Sequence, residues 1–96
     1  MTQFKDLDPL LHSQLRLSIV SLLLNVEFAD FVFIKEATGA TAGNLSVQID
    51  KLATASYIEV EKRFVGKRPQ TRCKLTAVGR KAFKQYVTSL RGYIEP

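Results

Sequence analysis

Apolar positions recur with helical spacing in four stretches of the chain and alternate in two. In "PLLHSQLRLSIVSLLLNV" the residues Leu11, Leu15, Leu17, Ile19, Val20, Leu22, Leu23 and Leu24 cover most of a helical wheel. That predicts a first helix from Pro9 to about Asn25, buried on more than one side. Asp8 followed by Pro9 suits the cap and first position of such a helix. "EFADFVFIKEATG" predicts a shorter second helix from about Asp30 to Thr38, closed by Gly39. Its Phe and Val content leaves a strand open for residues 31–34, with helix the preferred reading. In "TAGNLSVQIDKLATASY", Leu45, Ile49 and Leu52 fall at i, i+4 and i+7 behind a capping Thr41, which predicts a third helix over residues 41–55 with one narrow buried stripe.

The next two segments change period. "YIEVEKRF" puts Ile58, Val60 and Phe64 on one face; "QTRCKL" puts Thr71, Cys73 and Leu75 on one face and Arg72 and Lys74 on the other. With Gly66 and Pro69 between them they predict a β-hairpin over 58–75 whose tip is 65–70. Thr76 then suits the cap of a last helix, residues 76–94. The order is helix, helix, helix, hairpin, helix: a mainly α chain with a β-hairpin (α+β). A glycine-containing turn of about three residues joins the second and third helices, the spacing of a helix-turn-helix over residues 30–55. Three helices followed by a hairpin make a winged helix-turn-helix, expected as one domain over residues 1–96.

Charge sharpens this picture. The net charge is +5, but residues 1–61 hold four basic and eight acidic residues, whereas residues 62–96 hold ten basic and one acidic, Glu95. Between Lys62 and Lys74 there are six basic residues and no acid. Such one-sided charge does nothing for folding and points to a polyanion, either nucleic acid or an anionic membrane. No uncharged apolar run approaches the ~18 residues of a membrane span. Asp6 and Asp8 stand where a signal peptide would carry basic residues. The single cysteine, Cys73, excludes an internal disulfide and fits a reducing compartment, so a cytoplasmic protein is expected.

Taken together, "GNLS" at the start of the third helix, "YIEVEK", the wing "GKRPQT" and "LTAVGRKAF" resemble the small winged-helix transcriptional regulators of bacteria and archaea, related to the MarR-like and ArsR-like repressors. The resemblance spans roughly residues 10 to 92. It implies a homodimeric protein that binds double-stranded DNA, usually as a repressor, with the third helix in the major groove and the wing on the flanking backbone or minor groove. Two positions depart from the family. Ser56 stands before Tyr57 where glycine is common, so a less tight turn is expected there. Gln48 stands where histidine is frequent, which leaves specificity open.

On the helical wheel Gly43, Val47, Asp50 and Thr54 lie opposite the apolar stripe, with Asn44, Ser46 and Lys51 beside them and Gln48 nearer the buried edge. Asn44 and Gln48 suit adenine edges, Ser46 a base or phosphate, and Val47 a thymine methyl. Thr41 and the free N–H groups around it suit a phosphate, and Gly43 permits close approach. Asp50 either accepts from a cytosine amino group or pairs with a cation of the chain. In the wing, Lys67, Arg68 and Arg72 are the leading phosphate or minor-groove contacts, with Thr71 beside them and Pro69 stiffening the tip. Small polar residues at a helix start are also ordinary capping chemistry, and a charged hairpin is also an ordinary solvated surface. The unmixed sign of the wing favours DNA, because solvated hairpins usually alternate charge.

The last helix repeats Phe83, Val87, Leu90 and Ile94 at 4-3-4 spacing, widened by Ala82, Tyr86 and Tyr93. Together with the over-supplied first helix this predicts a two-fold dimer through Leu11, Leu15, Phe83, Tyr86, Val87, Leu90, Tyr93 and Ile94; one well-covered core is the alternative. Nothing suggests an enzyme, a cofactor or a metal: there is one His and one Cys, no phosphate loop and no ligand cluster. His12 reads as structural and Cys73, on the inward strand face, as packing. No residue identifies an effector. A protein-interaction winged helix and a shape-reading RNA binder are the competing readings.

Overall fold

The computed structural model describes residues 4–95, so residues 1–3 and 96 of the expected domain lie outside it. Side-chain caps set the helix starts. Ser13, in extended backbone, accepts from the Arg16 N–H and opens α1 (Gln14–Leu23). Asp30 accepts from Phe33 at 2.8 Å and opens α2 (Phe31–Thr38), which Gly39 closes in the left-handed conformation (φ 73°). Thr41 accepts from Asn44 at 3.2 Å and opens α3 (Ala42–Thr54). Thr76 accepts from Gly79 at 2.9 Å and opens α4 (Ala77–Ile94). The helix preferred over 31–34 is therefore the one that forms.

The first helix is shorter than its apolar pattern predicts. Asp8 does cap a turn, its Oδ1 accepting from the Leu10 N–H at 2.9 Å, but Ser13 interrupts the backbone and starts the helix afresh. The reason is tertiary. Asp8 Oδ2 also accepts from the Tyr57 hydroxyl at 2.5 Å, which pins the turn to the far end of α3, and Leu11 drops into the core.

Three strands form one antiparallel sheet in the order β1-β3-β2: β1 (Ala29–Asp30), β2 (Ile58–Val65) and β3 (Arg68–Leu75). The two-residue β1 is unforeseen. It pairs Ala29 with Cys73 and Asp30 with Arg72, hooking the N-terminus of α2 onto the hairpin. Strand pairing runs out to Val65 opposite Arg68, so the tip is only Gly66–Lys67, and Arg68 and Pro69 belong to β3. Pro69 is tolerated because β1 does not reach that height and β3 is an edge there.

Leu45, Ile49 and Leu52 of α3 meet Ile19, Val20 and Leu23 of α1, Ile34 of α2 and the hairpin residues Ile58, Cys73 and Leu75 in one core. Ile58 is buried as expected, but Val60 is 37% and Phe64 72% exposed. The molecule measures 57 × 25 × 21 Å, and the hairpin outruns the helices that would have covered those two side chains. Gly79 permits a close backbone approach: a Cβ there would stand 2.1 Å from the Tyr57 carbonyl oxygen. The Thr76 hydroxyl donates toward the Ser56 and Tyr57 carbonyls at the same crossing.

Ser56 does not loosen the turn after α3. It takes φ 65° itself, its N–H bonding the Ala53 carbonyl and the Tyr57 N–H bonding the Leu52 carbonyl, the paired bonds that glycine normally enables at a helix end. The dimer-interface expectation needs correcting at two residues. Leu11 (0% exposed) and Tyr86 (5%) are covered within the chain, the Tyr86 hydroxyl lying 3.1 Å from His12 Nδ1. Leu15, Phe83 and Leu90 are half-buried against the core, Val87 is half-buried, and Tyr93 and Ile94 stand out. Part of the α4 stripe is covered by the segment before α1: the Phe4 and Tyr93 rings lie 5.2 Å apart, and Tyr93 Oη donates to the Lys5 carbonyl at 2.8 Å.

Candidate nucleic-acid interface

The polar face of α3 is open. Thr41, Gly43, Asn44, Ser46, Val47, Asp50, Lys51 and Thr54 are exposed, with Gly43, Val47, Asp50 and Thr54 opposite the fully covered Leu45 and Leu52. The Gly39–Thr41 turn leaves the start of the helix, with its unpaired N–H groups, at the surface. Apart from the backbone of its own helix and its chain neighbours, nothing lies within 4 Å of where a Gly43 side chain would begin, so a ligand can approach the backbone there. Among the described residues the single side-chain ion pair is Arg72–Glu61, so Asp50 has no cation partner among them.

Gln48 is half-buried and has two partners. Its Oε1 accepts from Arg16 Nη1 at 2.5 Å, and its Nε2 donates to Asn44 Oδ1 at 3.0 Å. Arg16 is held in turn by the Leu10 carbonyl (2.6 Å) and the Pro9 carbonyl (3.4 Å). The sequence pattern does not mark Arg16 as part of the site. Its one signal is that it is the only Lys, Arg, Asp or Glu between Pro9 and Val26.

Apart from Lys74, exposed at the base, the basic residues of the hairpin divide into two sets. Lys67 and Arg68 stand exposed at the outer end, with Pro69 exposed beside them and Lys62 and Arg63 behind. Arg72 sits at the base, its side chain 22% exposed: Nη2 bonds Glu61 at 3.2 Å and the guanidinium lies 3.7 Å above the Phe28 ring. It clasps β1 and β2 to β3. Thr71 is half-buried. The structure thus brings the α3 face and the wing tip to the surface and places Arg72 in an internal contact.

Among the described residues, two groups have shifted ionisation. Burial, the hydrogen bond to Asp8 and its negative charge push the Tyr57 hydroxyl up to about 12. Burial alone raises the Cys73 thiol to about 11, so it stays protonated at neutral pH and packs as an apolar side chain. No group of three or more His, Cys, Asp or Glu positioned for a metal occurs among the described residues. None of their helices is long and apolar enough to cross a membrane.

A family model described as a winged helix DNA-binding domain matches residues 15–94. The chain is 36% identical over 76 residues to Uncharacterized protein MJ0432 of Methanocaldococcus jannaschii, covering 79% of this chain and 83% of that protein. The fold is similar to the solved structure of a transcriptional regulator homologue from Pyrococcus horikoshii OT3, with TM-score 0.82 and 29% identity over 90% of this chain and 85% of that one.

Proposed function

The chain belongs to the winged helix DNA-binding domain family, and from that premise we propose that it is a homodimeric transcriptional regulator, of the MarR-like or ArsR-like kind, that represses by occupying a pseudo-palindromic site in double-stranded DNA. The single domain would lay α3 in the major groove, with Thr41, Gly43, Asn44, Ser46, Val47, Gln48 and Lys51 toward the DNA and Lys67 and Arg68 of the wing on the flanking phosphates or minor groove. The observation that carries this reading is the pairing of an open, small-residue polar helix face with an outer wing whose cations have no acidic partner among the described residues. Arg72, held by Glu61 and Phe28, positions the wing more than it meets phosphate. The dimer would form along α4 with Leu15 of α1, where Tyr93 and Ile94 are exposed and Leu15, Phe83, Val87 and Leu90 are half-covered. Two copies would then present recognition helices about one DNA turn, ~34 Å, apart.

The test is fluorescence anisotropy with a mixed-sequence duplex titrated with salt. Binding is expected to weaken with a log–log slope near −0.9 per phosphate contacted; absence of binding at low salt would refute the reading. Sedimentation showing only monomer at micromolar concentration would refute the dimer. One observation favours a second reading as a protein-interaction module: Phe33 and Phe64 are 50% and 72% exposed. They lie on α2 and the wing, and the α3 face itself carries no aromatic residue.

A further inference from the structure

A guanidinium has only N–H donors, so the amide atom that faces it must be an oxygen. Arg16 is fixed by the Leu10 carbonyl at 2.6 Å and holds Gln48 Oε1 at 2.5 Å. That turns Gln48 Nε2, also purely a donor, toward Asn44 four residues earlier on α3, where it meets Oδ1 at 3.0 Å. The choice of atom at each link follows from the one before. With Oδ1 bonded, the open capacity of the exposed Asn44 amide is chiefly its two N–H donors.

We propose that Arg16, on α1 and outside the recognition helix, is a positioning residue that sets sequence specificity: it dictates the polarity of the Gln48 amide and through it that of Asn44, so that Asn44 meets the DNA as a donor. A donor selects a base edge that offers acceptors, guanine O6 and N7 or thymine O4. It disfavours adenine, whose N6 amino group would have to share the Asn44 oxygen with Gln48 Nε2. The bidentate adenine contact expected of Asn44 from sequence therefore gives way to a contact with guanine or thymine. This rests on the reading of α3 as the major-groove helix.

The test selects bound duplexes from a pool with a randomised centre, using the wild-type chain, Arg16→Met and Gln48→Glu, and sequences what is retained. Wild type should enrich guanine or thymine at one base pair of each half-site. Arg16→Met keeps the apolar stem but removes the donors, frees both amides to turn, and should reduce that base preference by roughly 5- to 150-fold while leaving the other positions intact. Gln48→Glu presents oxygens to both neighbours, so Asn44 must turn its N–H groups inward and its oxygen outward. The same base pair should then shift to adenine or cytosine, whatever the change in overall affinity. If both variants select the wild-type motif with undiminished preference, the proposal is overturned. If the wild-type chain binds every duplex alike, the major-groove reading fails first, and the proposal falls with it.

Discussion

The two ends of the hairpin have the same alternating pattern and opposite fates. At its base Ile58, Cys73 and Leu75 are buried, β1 adds a third strand, and Arg72 is clasped between Glu61 and Phe28. At its outer end Phe64, Val65, Lys67 and Arg68 are all exposed, and only the partner strand holds the chain. The base therefore stabilises the fold, and the outer end is free to meet a ligand. A residue's place along the hairpin, more than its type or strand face, decides which role it has.

The most damaging way to test that division is at the crossing beneath the base. Gly79→Ala would force a Cβ against the Tyr57 carbonyl, backbone that cannot yield without moving β2, and should cost about 3 kcal/mol or more in urea unfolding. A loss under about 1 kcal/mol would mean that the base is more pliant than described.

Alkaline pH tests the same end. Both Cys73 and Tyr57 have folded-state ionisation raised above the ordinary value, so burial favours their protonated forms. Their contribution is fully present below pH 9 and is lost as the pH rises to about 12, Cys73 first and Tyr57 after it. Unfolding free energy should stay flat on account of these groups up to pH 9 and then fall, by on the order of 1–2 kcal/mol from Cys73. Tyr57→Phe should remove the upper part of that fall, and an unchanged profile would contradict the assignment.

Ser56→Gly should sharpen the base instead of breaking it. The left-handed conformation costs serine about 1 kcal/mol that glycine avoids, so the thermal midpoint should rise by a few degrees, roughly 4–8 °C per kcal/mol for a domain of this size. A falling midpoint would show that the serine side chain compensates.

The smallest effect on stability is expected at the outer end. Lys67→Ala and Arg68→Ala should each change unfolding by no more than about 0.5 kcal/mol, yet reduce the salt slope of DNA binding by about one unit apiece where each meets a phosphate. Stability loss well above that range would place these residues in the scaffold and erase the contrast between the two ends.

Much of the candidate site was legible because its signals are local. Thr41 before "AGNL" and the Leu45–Ile49–Leu52 stripe located α3 and its open face to within a residue or so. The acid-free wing was visible from composition alone. What escaped was relational. Arg16 and Gln48 are 32 residues apart, and no periodicity links them. Arg72 looked like another wing cation because its partners, Phe28 and Glu61, come from two other segments.

The chain's own order of residues thus determined the caps at Asp30, Thr41 and Thr76, the left-handed stop at Gly39, the four helices and the hairpin, because each depends on backbone bonds closed within a few residues. The tertiary structure alone decided that Leu11 and Tyr86 belong inside, that Val60 and Phe64 stay outside, that a two-residue strand ties α2 to the hairpin, and that Ser56 bears a conformation made for glycine. Burial is set by what distant segments bring to the opposite side of a residue, and alternation along a strand or a wheel carries no record of how far that cover extends.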